Sequence, residues 1–232
     1  MSLFNIFKTR KFMTLITYFS TTFILQIVLM FPLTFGAAML GLPLTDNLYN
    51  FLIEIDVVLC SLAFIFIACY LIKDVLIENW KRLKFSKHFF ITVIGTTFLL
   101  YILSMVCSII AEMVTGATNP INQEMIIDSM MAFPILNILT VVILAPIAEE
   151  LVFRFAMIKI NSKYKYIWLI ISSLIFGLLH IWGDYIYLLD YALFGFIIGF
   201  VYLKTENIWY PIAIHFLNTF ISTIGIAFMY LI

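Results

Sequence analysis

From Phe12 to Thr45 the chain carries no Asp, Glu, Lys, Arg or His. An uncharged run of that length has no place on the surface of a water-soluble domain, whereas a membrane-crossing helix needs about 20 mostly apolar residues. The run supplies one long span, with a kink expected at Pro32 and a turn near Gly41–Pro43. The same gaps between charges recur along the chain. Phe51 to Ile72 is a second span, with Glu54 and Asp56 near its first turn, and Phe89 to Ala111 is a third. A stretch from about Phe133 to Ile160 carries charge only at Glu149, Glu150, Arg154 and Lys159. Tyr166 to Trp182, Tyr185 to Leu203 and Ile208 to Ile232 bring the count to about seven. The expected fold is an all-α, polytopic transmembrane helical bundle.

Composition agrees. Hydrophobic residues make up 64% and charged residues 11% of the 232 residues, against about 45–50% and about 25% in soluble domains. A soluble protein of this size lacks the interior to hide so much apolar surface, so the excess faces lipid. Lys+Arg and Asp+Glu are 13 each and cancel, which removes the electrostatic case for a nucleic-acid partner. Cys60, Cys69 and Cys107 lie in apolar runs without metal-site spacing, so neither a disulfide scaffold nor a cysteine metal site is expected. Lys8, Arg10 and Lys11 precede a run too long for a signal-peptide core, and no cleavage site follows.

The signs of the charges give the orientation. With seven spans, Lys8, Arg10 and Lys11, the segment from Lys73 to Lys87, the group Arg154, Lys159, Lys163 and Lys165, and Lys204 all fall on one side. The opposite loops hold Asp46, Glu112, Glu124, Asp128 and Asp184 and no Lys or Arg. The positive-inside rule puts the N-terminus in the cytoplasm. The segment Lys73 to His88 mixes basic and apolar residues and reads either as an interfacial amphipathic piece or as a solvated loop. Residues 1–131 then form an N-terminal membrane unit with that loop, and residues 132–232 a helical core.

Ionisable groups at membrane depth are costly, so each is a functional candidate. Glu150 and Arg154, four apart, share a helix face and can pair, while Glu149 points about 100° away without a local partner. His180 and His215 both sit in apolar surroundings. Counted from the basic turns at 1.5 Å per residue, Glu149 lies roughly 18 Å, His180 roughly 23 Å, His215 roughly 12 Å and Asn218 roughly 17 Å into the membrane. The four share a band near the midplane. The fourth span then crosses at about Leu139–Ile160, and Pro120–Asn137 becomes an interfacial or re-entrant segment. A glutamate can take a proton from water, histidine can assist, and Asn or His can donate to an oxyanion. Glu149, His180 and His215 are also a known zinc-ligand combination, so a divalent metal such as Zn2+ and a metal-free site both fit. A buried ion-pair cluster that only fixes helix packing is the plain structural alternative. Gly195 and Gly199 give the sixth span a small-residue face for close helix approach. Asp190, near the non-cytoplasmic end of that span, reads first as an interface residue and second as substrate-facing. Serine-, aspartyl- and zincin-type protease signatures are absent.

In order, EELVFR (Glu149 to Arg154), FGLLH (Phe176 to His180) and WYPIAIHFLN (Trp209 to Asn218) resemble the motifs EExxxR, FxxxH and a final histidine with a nearby Asn or Asp. These are motifs of the CAAX-protease and bacteriocin-processing family of intramembrane proteases. The resemblance covers roughly Leu144 to Phe220. It implies an intramembrane endopeptidase acting on a membrane-associated peptide or protein, with Glu149 activating water and His180 assisting. His215 and Asn218 would stabilise the oxyanion, and Glu150, Arg154 and Phe176 would support the site. Family members often carry Asn or Asp four residues after the last histidine, where this chain has Thr219, so Asn218 takes that role. A multi-pass protein of a bacterial cytoplasmic membrane is the expected setting. The alternative is a non-catalytic member acting as a membrane scaffold or a bacteriocin self-immunity protein.

Overall fold

The computed structural model describes residues 9–25, 35–36, 39–40, 45–116, 119–158, 160 and 162–230. Among these the chain is helical, without strands. Helix α1 spans Arg10–Phe19 and runs on as a π-helical turn, Ser20–Leu25. The Pro32 kink and the Gly41–Pro43 turn lie outside the described residues, as does much of the first expected span. The following elements are α2 (Asp46–Leu71), α3 (Lys73–Arg82), α4 (Lys87–Thr115) and α5 (Ile121–Ala132). Then come α6 (Pro134–Ile158), α7 (Lys165–His180), α8 (Leu188–Thr205) and α9 (Trp209–Tyr230).

Among the described residues, five helices are long and apolar enough to cross a membrane: α2, α4, α6, α8 with its preceding turn, and α9. Helix α7 is apolar but shorter. These six match six of the seven expected spans; the first expected span lies largely outside the described residues. Large apolar side chains such as Phe66, Phe98, Met113 and Ile135 are exposed, as a lipid-facing surface requires. The chain is a multi-pass membrane protein.

Local chemistry sets the ends of the helices. Thr45 caps α2 and Ser86 caps α4, each hydroxyl accepting from the amide three residues on. Gly116, at φ 74°, closes α4 in a left-handed conformation that costs glycine little. Phe133 leaves the helical region, at φ −139° and ψ 64°, in line with the bias of a residue before proline, and so separates α5 from α6. Residues 121–132 thus form a helix of their own, within the segment read as interfacial or re-entrant. The Asn137 amide donates to Ile126 O at 3.1 Å and to Ser129 Oγ at 3.0 Å, and Ser129 donates to Glu54 Oε1 at 2.6 Å. This chain of bonds ties α5 to α2 and to the start of α6.

The ambiguous basic segment is a docked helix rather than a loop. The Asn207 amide donates to Asn79 O at 2.8 Å, and Ile208 N donates to Asn79 Oδ1 at 3.0 Å. Helix α3 therefore fastens the turn between α8 and α9. At its other end Asp74 bonds Arg10 of α1, and that hydrogen bond holds the Asp74 carboxyl below its usual range. Both partners are exposed, so the pair adds little stability.

Helix α6 is the axis of the fold, buried from Glu150 to Ala156. Phe64 and Ala68 of α2, Ile72 just beyond it, and Leu169 and Phe176 of α7 join it in one core. Helices α7 and α8 approach closely because glycine faces the contact. A Cβ on Gly195 would lie 3.2 Å from Ser173 Cα, and one on Gly177 would lie 3.1 Å from the Ala192 nitrogen. A Cβ on Gly199 would press on the side chains of Leu169 and Ile158. The glycine pair read from the sequence is therefore a packing face. Gly95 of α4 has open space around it. Gly195→Val should destabilise the chain by about 1–3 kcal/mol through overpacking, whereas Gly95→Val should stay within about 1 kcal/mol. Unfolding curves in detergent check this, and equal losses in the two variants would refute the packing role.

Candidate active site

The backbone around Glu149 is irregular for a stated reason. Pro146 has no amide hydrogen and its ring crowds the preceding turn. The helix answers with wider, π-helical turns on both sides, Ile138–Leu144 and Glu150–Ile158. The Ala145 amide accordingly bonds Thr140 O, five residues back. From α7, Ser172 Oγ donates to Phe153 O at 2.7 Å inside the second π segment. π-Helical turns are rare and concentrate at functional sites.

Glu150 and Arg154 pair as their spacing implies, with Arg154 Nε 2.9 Å from Glu150 Oε2 and both side chains almost fully buried. Arg154, grouped by sequence with the basic segments, thus lies inside α6. Its guanidinium carbon sits 4.8 Å from the Phe176 ring centroid, a cation–π contact that partly replaces lost solvation. The other oxygen of Glu150 reaches His215 Nδ1 at 2.8 Å. Because Glu150 is the anion facing Arg154, His215 Nδ1–H is the donor, and Nε2 is left facing the cavity.

His180 is the last residue of α7. Its Nδ1 is 2.7 Å from Phe176 O, and a carbonyl can only accept, so Nδ1 carries the hydrogen and Nε2 is again free. The ring is stacked between Phe176, at 4.2 Å, and Tyr191, at 5.2 Å. Phe194 meets His215 edge-on at 4.9 Å. Both Nε2 atoms lie 3.8 Å from Glu149 Oε2. That oxygen has no hydrogen-bond partner among the described residues. Glu149 and His180 remain about a fifth exposed, with side-chain values of 18% and 21%, whereas Glu150 is at 0%.

Glu149, His180, His215 and Asn218 all line one cavity of about 410 Å³, walled by α4, α5, α6, α7, α8 and α9. A separation of 3.8 Å is beyond direct hydrogen bonding but leaves room for one water between carboxylate and imidazole. The same three groups are those a divalent cation would use. As they stand, no set of three or more His, Cys, Asp or Glu among the described residues could hold a metal ion. The three cysteines are free.

Other cavity residues escaped the sequence reading. Tyr101 Oη donates to Asn218 O at 2.7 Å and lies 2.9 Å from Ser222 Oγ, fixing α9 against α4. Ser104 Oγ donates to Asp190 Oδ2 at 2.8 Å. Asp190, read first as an interface residue, faces the cavity instead. The available signal was the spacing of Tyr101, Ser104 and Ser108, a polar stripe on one face of an otherwise apolar helix. Thr219, in the position where the resemblance leads one to look for Asn or Asp, turns its hydroxyl back to His215 O at 3.0 Å. Asn218 lines the cavity beside it.

Residues 131–221 match the family model described as type II CAAX prenyl endopeptidase Rce1-like. That segment holds every block of the motif. The match agrees with the resemblance of the three blocks to the CAAX-protease and bacteriocin-processing family. The chain is also 36% identical over 104 residues to a protein of Bacillus subtilis (strain 168) named "Putative membrane peptidase YdiL". That match covers 43% of this chain and 41% of the relative. No solved structure matches the chain.

Removing one member of a buried pair strands the other. Arg154→Met should cost about 3–5 kcal/mol, because it leaves Glu150 charged and uncompensated. Glu150→Gln combined with Arg154→Met should recover a large part of that loss. Denaturant unfolding in detergent measures both, and a double variant no more stable than Arg154→Met would contradict the pairing.

Proposed function

We propose that the chain is an intramembrane endopeptidase that cleaves a peptide bond of a membrane-associated peptide or protein, with Glu149 activating the attacking water. The observation that carries this reading is the convergence of two imidazole Nε2 atoms on one unpartnered carboxylate oxygen, in a cavity large enough for an extended peptide. A purely structural cluster would hold its carboxylates at short range, as Arg154 at 2.9 Å and His215 at 2.8 Å hold Glu150; Glu149 Oε2 meets the two imidazoles only at 3.8 Å. The family of residues 131–221 and the peptidase name of the Bacillus relative point the same way.

In the proposed reaction a water lies between Glu149 and an imidazole. Glu149 takes its proton while the water oxygen attacks the scissile carbonyl carbon. The carbonyl oxygen becomes an oxyanion, which the Asn218 amide receives, joined by His215 Nε2 once the water's proton has passed to it from Glu149. Glu150, on the far side of the His215 ring, holds it in orientation and supports the imidazolium as it forms, the role a buried acid plays in other hydrolases. The C–N bond then breaks. That one proton, carried by Glu149 and His215, passes to the departing nitrogen, directly or through His180 Nε2, giving a carboxylic acid and an amine. No step passes through a metal.

Full-length chain reconstituted in vesicles should cleave a membrane-anchored reporter peptide. Glu149→Gln and His180→Ala should each lower turnover by about 10²- to 10⁴-fold, with insertion and abundance unchanged. Retained cleavage in both variants would sink the reading and favour a scaffold or immunity role. Turnover is expected to survive a chelator, and a loss that added Zn2+ restores would overturn the metal-free form of the mechanism.

A further inference from the structure

The cavity that holds the candidate site has an unusual charge balance. Among its lining residues are two carboxylates, Glu149 and Asp190, and no Lys or Arg. Arg154 lies behind the site and is already engaged with Glu150. The loops and helix ends on the side where α8 begins carry the acids Glu112, Glu124 and Asp184. The sequence places no Lys or Arg in the loops on that side. A cleft lined by one sign of charge between low-dielectric walls concentrates ligands of the opposite sign.

Asp190 is built into this cavity rather than draped over its edge. Ser104 of α4 donates to its Oδ2 at 2.8 Å, and its Oδ1 has no partner among the described residues. Its neighbours on the same face of α8 fix its distance from the chemistry. Tyr191 stacks on His180, and Phe194 meets His215. Asp190 stands one helical turn beyond Phe194, roughly 6 Å along the axis. An extended peptide advances about 3.3 Å per residue, so that step corresponds to one or two substrate residues.

We infer that Asp190 forms a substrate subsite for a cationic nitrogen, a Lys or Arg side chain or a free α-amino group, one or two residues from the bond that is cut. This rests on the endopeptidase reading for the position of that bond. Ser104 orients the carboxylate, and Asn122, whose amide donates to Tyr191 Oη at 3.3 Å, lines the same wall. The charge-assisted hydrogen bond formed with the ligand cation selects for basic over neutral residues by on the order of tenfold.

The test uses full chain in vesicles and membrane-anchored reporter peptides that differ only near the scissile bond. One pair carries Lys or Gln there, and a second pair has a free or an acetylated amino terminus at the same distance. A preference for Lys assigns the subsite to a side chain, and a preference for the free amine assigns it to the terminus. Asp190→Asn keeps an acceptor for Ser104 and should bring the preferred-to-neutral ratio of kcat/KM close to one. Asp190→Lys should turn the preference towards a Glu peptide. Selectivity that is absent from the start, or unchanged in Asp190→Asn, overturns the proposal. Binding of the same peptides to the Glu149→Gln chain, read by fluorescence, separates the two hypotheses. Charge-selective binding that depends on Asp190, without cleavage by the unaltered chain, would refute the endopeptidase and leave the subsite standing. Cleavage that ignores charge would do the reverse.

Discussion

The site depends on a single buried carboxylate. Glu150 has essentially no exposed surface, yet it serves Arg154 with one oxygen and His215 with the other. A lone carboxylate in that position would pay a desolvation cost of several kcal/mol, and a lone guanidinium the same. Together, with the Phe176 ring against the guanidinium, they are tolerated. Such a pair adds little net stability compared with apolar packing, so its presence asks for another reason. That reason is orientation: the Glu150 contact decides which nitrogen of His215 faces the cavity.

Phe176 links the two halves of the cluster. Its ring lies against Arg154 on one side and stacks on His180 on the other, and its carbonyl takes the His180 Nδ1 hydrogen. Both histidines are therefore fixed through Nδ1, one by a carboxylate and one by a carbonyl, and both present Nε2 to Glu149. The two partners suit different work. In the proposed reaction the carboxylate would support a histidine that gains charge beside an oxyanion, while the carbonyl would hold a tautomer ready to accept a proton. The π-helical turns around Pro146 bring Glu149 to the point where the two rings meet.

Much of this was legible from charge spacing. Gaps between charges located the spans because a charge at membrane depth is expensive, and the Glu150–Arg154 pair followed from a four-residue step that survives even in a π-helical segment. His215 and Asn218 followed from a three-residue step on one regular helix. What was not legible rests on contacts between residues far apart in the chain. Asn79 fixes the α8–α9 turn from more than a hundred residues away, so α3 could not be told from a loop by its own composition. Position along the span could not decide between the two readings of Asp190, because its direction is set by Ser104 on another helix. The π register was also hidden, since it depends on how Pro146 is accommodated by the helices around it.

The small residues and the charged ones answer the same constraint. Without water to drive helices together, α7 and α8 rely on close packing, and Gly177 and Gly195 provide it. That approach brings Tyr191 and Phe194 of α8 onto His180 and His215, so the rings are held from the side as well as through Nδ1. A bulkier residue at Gly195 would push α8 outward and loosen both imidazoles at once. Damage at the glycine face and damage at Glu150 should therefore converge on one outcome, a cavity whose carboxylate remains but whose histidines no longer converge on it.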